Sequence, residues 1–130
     1  PWIHIADPVA HQARELGLSC LAITGTSHLM TGPVYSETLA KVGISCKIPT
    51  EEQRQNIDNI IFNELVYGVI KESSRLYFNE VIQELKEQGC DGVVLGCTEI
   101  PLIVQPDDCP LPTLDSTRLL ARLALKKALE

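Results

Sequence analysis

Two uninterrupted apolar runs constrain this chain more than any other feature: Cys20-Leu21-Ala22-Ile23-Thr24, and residues 91–96, Asp91-Gly92-Val93-Val94-Leu95-Gly96. A strand with one face in water alternates apolar and polar residues. These runs do not alternate, so both of their faces must be covered, as happens in a parallel sheet sandwiched between helices. Parallel strands need long crossovers, and the stretches between the runs carry helical periodicity. The pattern predicts an α/β fold, a three-layer lobe around a mostly parallel sheet.

The helices follow from local signals. Residues 2–6 read as a short strand entering a helix, with Asp7 as N-cap, Pro8 as first helical residue, Val9, Ala13 and Leu16 on one face, and Gly17 as the stop. After Thr24, the polar turn Gly25-Thr26-Ser27 leads into a helix kept amphipathic by Tyr35, Leu39 and Val42 up to Gly43. Residues 44–48 form a third strand closed by Pro49. Thr50-Glu51-Glu52-Gln53 has the form of a capping box, and the helix it opens repeats Ile57, Ile60, Ile61 and Leu65 before stopping near Gly68. A further helix spans residues 72–88, with Leu76, Val81, Ile82 and Leu85 inward and Gly89 at its end. Residues 113–114 form a short last strand, and Asp115 or Ser116 caps a final helix that ends at Glu130.

The 130 residues suffice for a single lobe, and 45% apolar against 22% charged residues describes a globular chain. A net charge of −6 gives no basic face for nucleic acid. No apolar stretch approaches the ~20 residues of a membrane-spanning helix. Cys20, Cys46, Cys90, Cys97 and Cys109 lack both a disulfide framework and zinc-site spacing. Reduced thiols point to a cytoplasmic protein, and no metal is expected. No glycine-rich phosphate loop is present. The chain opens on Pro1 rather than Met, which reads as part of a longer protein.

Ligands of open α/β sheets sit beyond the carboxyl ends of the strands. Two such ends carry chemistry here, Gly25-Thr26-Ser27 and Gly96-Cys97-Thr98-Glu99-Ile100-Pro101. Cys97 stands where a strand stops, and Gly96 lets the chain bend or a ligand approach. A helical turn after Cys97 would aim the Thr98 and Glu99 amides at the sulfur and lower its pKa from ~8.5 toward neutrality. Position alone favours an inert packed thiol. Glu99 weighs against that reading, because a carboxylate two residues from a buried strand needs a partner or a task. The other cysteines read as core (Cys20, Cys90) or incidental (Cys46, Cys109). His28 borders the first turn and reads as solvated; His4 and His11 read as structural.

The segment Val93-Val94-Leu95-Gly96-Cys97-Thr98-Glu99-Ile100-Pro101-Leu102 resembles the second-cysteine motif of the aspartate/glutamate racemase family, with Glu after Cys-Thr as in its aspartate racemase branch. His4-Ile5-Ala6-Asp7, Gly25-Thr26 with Met30, Ile60-Ile61-Phe62-Asn63-Glu64-Leu65 and Leu114-Asp115-Ser116-Thr117 resemble further family segments in the same order. The resemblance implies racemisation of aspartate or glutamate without pyridoxal phosphate or any other cofactor. One cysteine removes the α-proton and a second returns a proton to the opposite face. Cys97 matches the second. Thr98, Glu99 and the Gly25-Thr26-Ser27 turn would bind the substrate.

The family's first cysteine lies in an N-terminal lobe that has no counterpart here, so residues 1–130 are expected to be the second lobe alone and inactive by themselves. The final helix, from about residue 115, packs on that absent lobe in the family. Leu119, Leu120, Leu123 and Leu125 are therefore expected to be exposed, or covered by a second copy in a homodimer. Val66 stands where some aspartate-specific relatives carry Lys, and Leu120 where broader ones carry His, which leaves aspartate, glutamate or a wider range open. Hydantoin racemases, maleate isomerases and arylmalonate decarboxylases reuse the same thiol placement. A non-catalytic module binding small anions is the remaining alternative.

Overall fold

A computed structural model describes residues 5–129. In chain order the elements are α1 (Ala6–Glu15), β1 (Cys20–Thr24), α2 (Ser27–Thr31), α3 (Val34–Ala40), β2 (Ser45–Lys47), α4 (Glu51–Asn63), α5 (Glu72–Glu87), β3 (Gly92–Leu95), β4 (Thr113–Asp115) and α6 (Ser116–Leu129). Short 3₁₀ turns at Leu65–Tyr67, Ile100–Leu102 and Pro106–Asp108 complete the connections.

The four strands form one parallel sheet in the order β2-β1-β3-β4. Successive side chains of a strand point to opposite faces, and the two apolar runs feed two separate cores accordingly. Leu21, Ile23 and Val94 face α1 and α3, where Val9, Ala13, Tyr35 and Leu39 pack. Cys20, Ala22, Val93 and Leu95 face α4 and α5, where Ile57, Ile61, Phe78, Val81, Ile82 and Leu85 pack. Every residue of β1 and β3 is buried. The absence of alternation in the sequence is thus the signature of a sheet covered on both sides. The three-layer α/β lobe is as the sequence implied.

Local signals account for most boundaries. Thr50 and Gln53 make the reciprocal capping box of α4, with Gln53 N–H donating to Thr50 Oγ1 at 3.2 Å and Thr50 N–H to Gln53 Oε1 at 3.0 Å. Gly17 and Gly89 follow α1 and α5 with φ of 72° and 110°, conformations that cost a side-chain-bearing residue energy. Asp115 Oδ1 accepts the Arg118 N–H at 3.1 Å, which makes Asp115 the cap of α6. At the amino end of the sheet the Asp91 carboxylate accepts the Ser19 and Cys20 amides and the Ser19 hydroxyl, at 2.9, 3.0 and 3.0 Å. Burial opposes the charge on Asp91, but these bonds outweigh it and hold the carboxyl below its ordinary pKa.

Four expectations are corrected. Asp7 does not cap α1: the helix already includes Ala6, with Ile5 in the cap position, and Asp7 lies in the first turn, where a negative charge suits the helix dipole. The rest of the proposed strand at 2–6 lies outside the described residues. The single helix expected after Ser27 is two, α2 and α3, because Pro33 disfavours helical backbone at Gly32, which is extended with ψ 168°. Leu76 does not face inward; it is 55% exposed, while Ser74, Phe78, Val81, Ile82 and Leu85 form the buried stripe of α5. Phe78, two residues on, lies on the opposite side of the helix at 3.6 residues per turn. The third strand keeps only Ser45–Lys47, an edge strand whose two end residues are exposed.

Candidate active site at the carboxyl ends of two central strands

The two turns singled out in the sequence stand side by side. β1 and β3 are neighbours in register, Thr24 opposite Leu95, and the Gly96 N–H donates to the Thr24 carbonyl at 2.9 Å. The buried Thr24 hydroxyl donates to the Val94 carbonyl at 2.7 Å, and Ser116 Oγ to the Leu95 carbonyl at 3.0 Å. These bonds occupy carbonyls where the strands end.

The glycines in the turns have a steric cause. A Cβ at Gly25 would meet Leu29 Cδ2 at 2.4 Å, and one at Gly96 would meet the same atom at 2.3 Å and the Thr24 carbonyl oxygen at 2.7 Å. Leu29 thus packs against both strand ends at once. Only the pair of glycines, each following a buried strand, signalled such a close approach in the sequence.

Cys97 is half-buried and packs against the larger core. Its Sγ donates to Glu99 Oε2 at 2.7 Å, and the Thr98 hydroxyl donates to the same oxygen at 2.8 Å. The expected fall of the thiol pKa is corrected. Burial, followed by the bond to Glu99, pushes it up to about 11, and the amides of Glu99 and Ile100 that reach the sulfur offset this only in part. No α-helix starts at Cys97; a turn leads to the 3₁₀ turn at Ile100, so the sulfur meets the amides of residues 99 and 100 rather than 98 and 99. The bonds from Cys97 and then Thr98 hold the Glu99 carboxyl below its ordinary pKa. Both shifts describe one arrangement: the proton on sulfur, the charge on Glu99.

In the other turn, Thr26 caps α2, its hydroxyl oxygen accepting the Leu29 N–H at 3.3 Å. The Ser27 N–H donates to Asp58 Oδ1 of α4 at 2.7 Å. Sequence reasoning passed over Asp58, since a lone carboxylate on an amphipathic helix reads as solvated surface. Thr26, Ser27, His28, Thr31, Asp58 and Phe62 line an open hollow of about 480 Å³, and His28 is exposed. A second cavity of about 380 Å³ lies at the ends of β3 and β4 between Leu95, Pro101, Asp115, Arg118 and Arg122. Cys97 lines neither. Among the described residues, no three His, Cys, Asp or Glu gather as a metal ion requires, and no helix is long and apolar enough to cross a membrane. Cys20 and Cys90 are buried, and Cys46 and Cys109 half-buried. On α6, Leu119, Leu120 and Leu123 are half-buried and Leu125 is 62% exposed.

The lobe is thus a parallel α/β lobe with a thiol and a carboxylate paired at a strand end. The sequence profile of the Asp/Glu/hydantoin racemases matches residues 1–124, and the chain belongs to that family. A protein of Yersinia pestis assigned to the Asp/Glu racemases superposes with a TM-score of 0.94 at 37% identity, over 100% of this chain and 57% of that one. An aspartate racemase homologue from Pyrococcus horikoshii gives 0.92 at 30% identity with the same coverages. The Picrophilus torridus aspartate racemase shares the fold at a TM-score of 0.75 and 21% identity, over 97% of this chain and 52% of that one. The chain therefore spans a little over half the length of these relatives.

Proposed function

We propose that the protein containing this lobe is an amino-acid racemase acting on aspartate or glutamate, with Cys97 as one of two cysteines and no cofactor. The observation that carries the reading is the 2.7 Å bond from the Cys97 thiol to Glu99 at the end of β3, within a chain that belongs to a racemase family. A racemase must remove a weakly acidic α-proton on one face and deliver a proton on the other. A thiol kept protonated by burial and a neighbouring carboxylate suits delivery: Cys97 gives its proton to the α-carbon as a second cysteine, outside this lobe, takes the original one. The thiolate left behind stands beside Glu99, whose charge favours its reprotonation.

The Gly25-Thr26-Ser27 turn, Thr98 and Glu99 form this lobe's share of the substrate site, Ser27 contributing its hydroxyl because Asp58 takes its N–H. One thiol cannot serve both faces, so the lobe is inactive alone and needs the remainder of a two-lobed protein. Part of the α6 leucine surface would be covered by that remainder or by a second copy.

Deuterium wash-in at the α-carbon of L-glutamate and L-aspartate tests the reading on the intact protein. Cys97→Ser is expected to slow exchange on the order of 10³-fold. Undiminished exchange in the variant removes Cys97 from the mechanism. The family description also covers hydantoin racemases, and exchange at a 5-substituted hydantoin but at neither amino acid would shift the assignment to that branch.

A further inference from the structure

The Gly25-Thr26-Ser27 turn is fixed in part from outside itself. It opens α2, a helix of five residues that is too short to hold its own geometry. Beyond its own Thr26 cap, its polar anchor is Asp58, whose Oδ1 accepts the Ser27 N–H at 2.7 Å, a charge-assisted bond of the strong class. Asp58 sits on a rigid support. Its helix begins with a complete capping box at Thr50 and Gln53, and Ile57, Ile60 and Ile61 on either side of it are buried. The same carboxylate borders the hollow shared with Thr26, Ser27, His28 and Thr31.

We infer that Asp58 is a positioning residue for substrate binding, an inference that rests on the proposed site: it sets where the Thr26-Ser27 turn stands relative to the core. By engaging the Ser27 N–H it also removes that amide from the donors offered to a substrate carboxylate. An amide fixed by an internal anion is one the ligand does not have to order on arrival.

The test is titration of the intact protein and its Asp58→Ala and Asp58→Asn variants with L-glutamate and L-aspartate by calorimetry, alongside α-proton exchange kinetics. Asp58→Ala should weaken Kd and raise KM about tenfold while kcat stays within about twofold. Asp58→Asn keeps a side-chain oxygen that accepts the Ser27 N–H, and should recover most of the affinity. Unchanged or tighter Kd in Asp58→Ala, a loss confined to kcat, or an Asp58→Asn variant as weak as the alanine would overturn the inference. Should Asp58→Ala fail to fold, Asp58→Glu, one methylene too long for this contact, carries the same comparison. A wild-type protein that binds an amino acid without exchanging its α-proton sinks the racemase reading and leaves the Kd comparison decisive for Asp58. One that binds neither amino acid overturns both.

Discussion

At the carboxyl end of the sheet, Cys97 is half-buried and donates a hydrogen bond to Glu99 across 2.7 Å; at the amino end, Cys20 and Cys90 lie buried with their sulfurs 3.6 Å apart. Burial and then the neighbouring Cys20 push the Cys90 thiol well above its ordinary pKa, and burial and then Glu99 raise that of Cys97. Both thiols are therefore protonated at neutral pH, burial being the larger cause in each and only the neighbour differing. At the amino end Asp91 takes the Ser19 and Cys20 amides, and the thiols there lie in the core against each other. At the carboxyl end the chain leaves β1 and β3 through glycine turns that bring a carboxylate and hydroxyls to the surface. The same residue type is core at one edge of the sheet and, under the proposed function, chemical at the other, where strand ends in α/β folds bear the ligands.

The largest expected difference is in accessibility. Native-state alkylation followed by mass mapping should label Cys97 without unfolding, and Cys20 and Cys90 only through global opening, a gap on the order of 10³-fold or more in rate. Equal labelling of the three would erase the contrast. Next comes the amino-end clamp. Asp91→Ala is expected to cost roughly 2–3 kcal/mol in denaturant unfolding, the worth of hydrogen bonds to a charged group lost together. Because the folded-state pKa of Asp91 is depressed, its contribution is present above the unfolded value of about 3.9 and is lost as pH falls through the folded one. A variant whose stability falls in parallel with the wild type on acidification would discount the clamp.

The two ends of β3 make a finer comparison. Gly96→Ala should destabilise by about 2 kcal/mol, because its Cβ would meet the Thr24 carbonyl oxygen, a backbone atom, at 2.7 Å. Gly92→Ala meets only the side-chain tips of Leu18 and Leu21, at 2.7 and 2.9 Å, and should cost about 1 kcal/mol. Thermal melts of both variants decide the order, and a costlier Gly92→Ala would contradict it. The smallest effect concerns Glu99. Glu99→Gln should lower the Cys97 pKa from about 11 and raise its alkylation rate at neutral pH about tenfold, with little change in stability. Burial, the larger cause of the shift, stays, so the pKa should not return fully to its ordinary value. A pH profile of alkylation identical to the wild type would detach Glu99 from the sulfur.

The fold was legible because its strongest determinants are local. Continuous apolar strands, the Thr50–Gln53 box and the glycine stops each act within a few residues, and each stands where the sequence put it. Errors arose where two signals competed. Pro33 broke a helix whose apolar spacing would have carried on, and Phe78 displaced Leu76 from the buried stripe of α5. At the site, proximity of the two turns could be read from strand ends, but the sign of the thiol shift could not. It depended first on how far the fold buries Sγ, and then on the Glu99 side chain folding back onto it instead of turning to solvent. Leu29 and Asp58 were hidden for a similar reason: each matters through a partner far along the chain, Gly96 for one and Ser27 for the other.

By itself the sequence determined the α/β class, most of the strands and helices, the two-sided burial of β1 and β3, and the candidate cysteine at a strand end, because hydrophobic period and backbone capping are written in neighbouring residues. The tertiary structure alone decided that Cys97 keeps its proton, that Asp58 takes the Ser27 amide, and that one leucine packs against both glycine turns. Those facts depend on distances between groups brought together by the crossover connections, and on the burial that sets how strongly a charge is felt, neither of which exists until the sheet has formed.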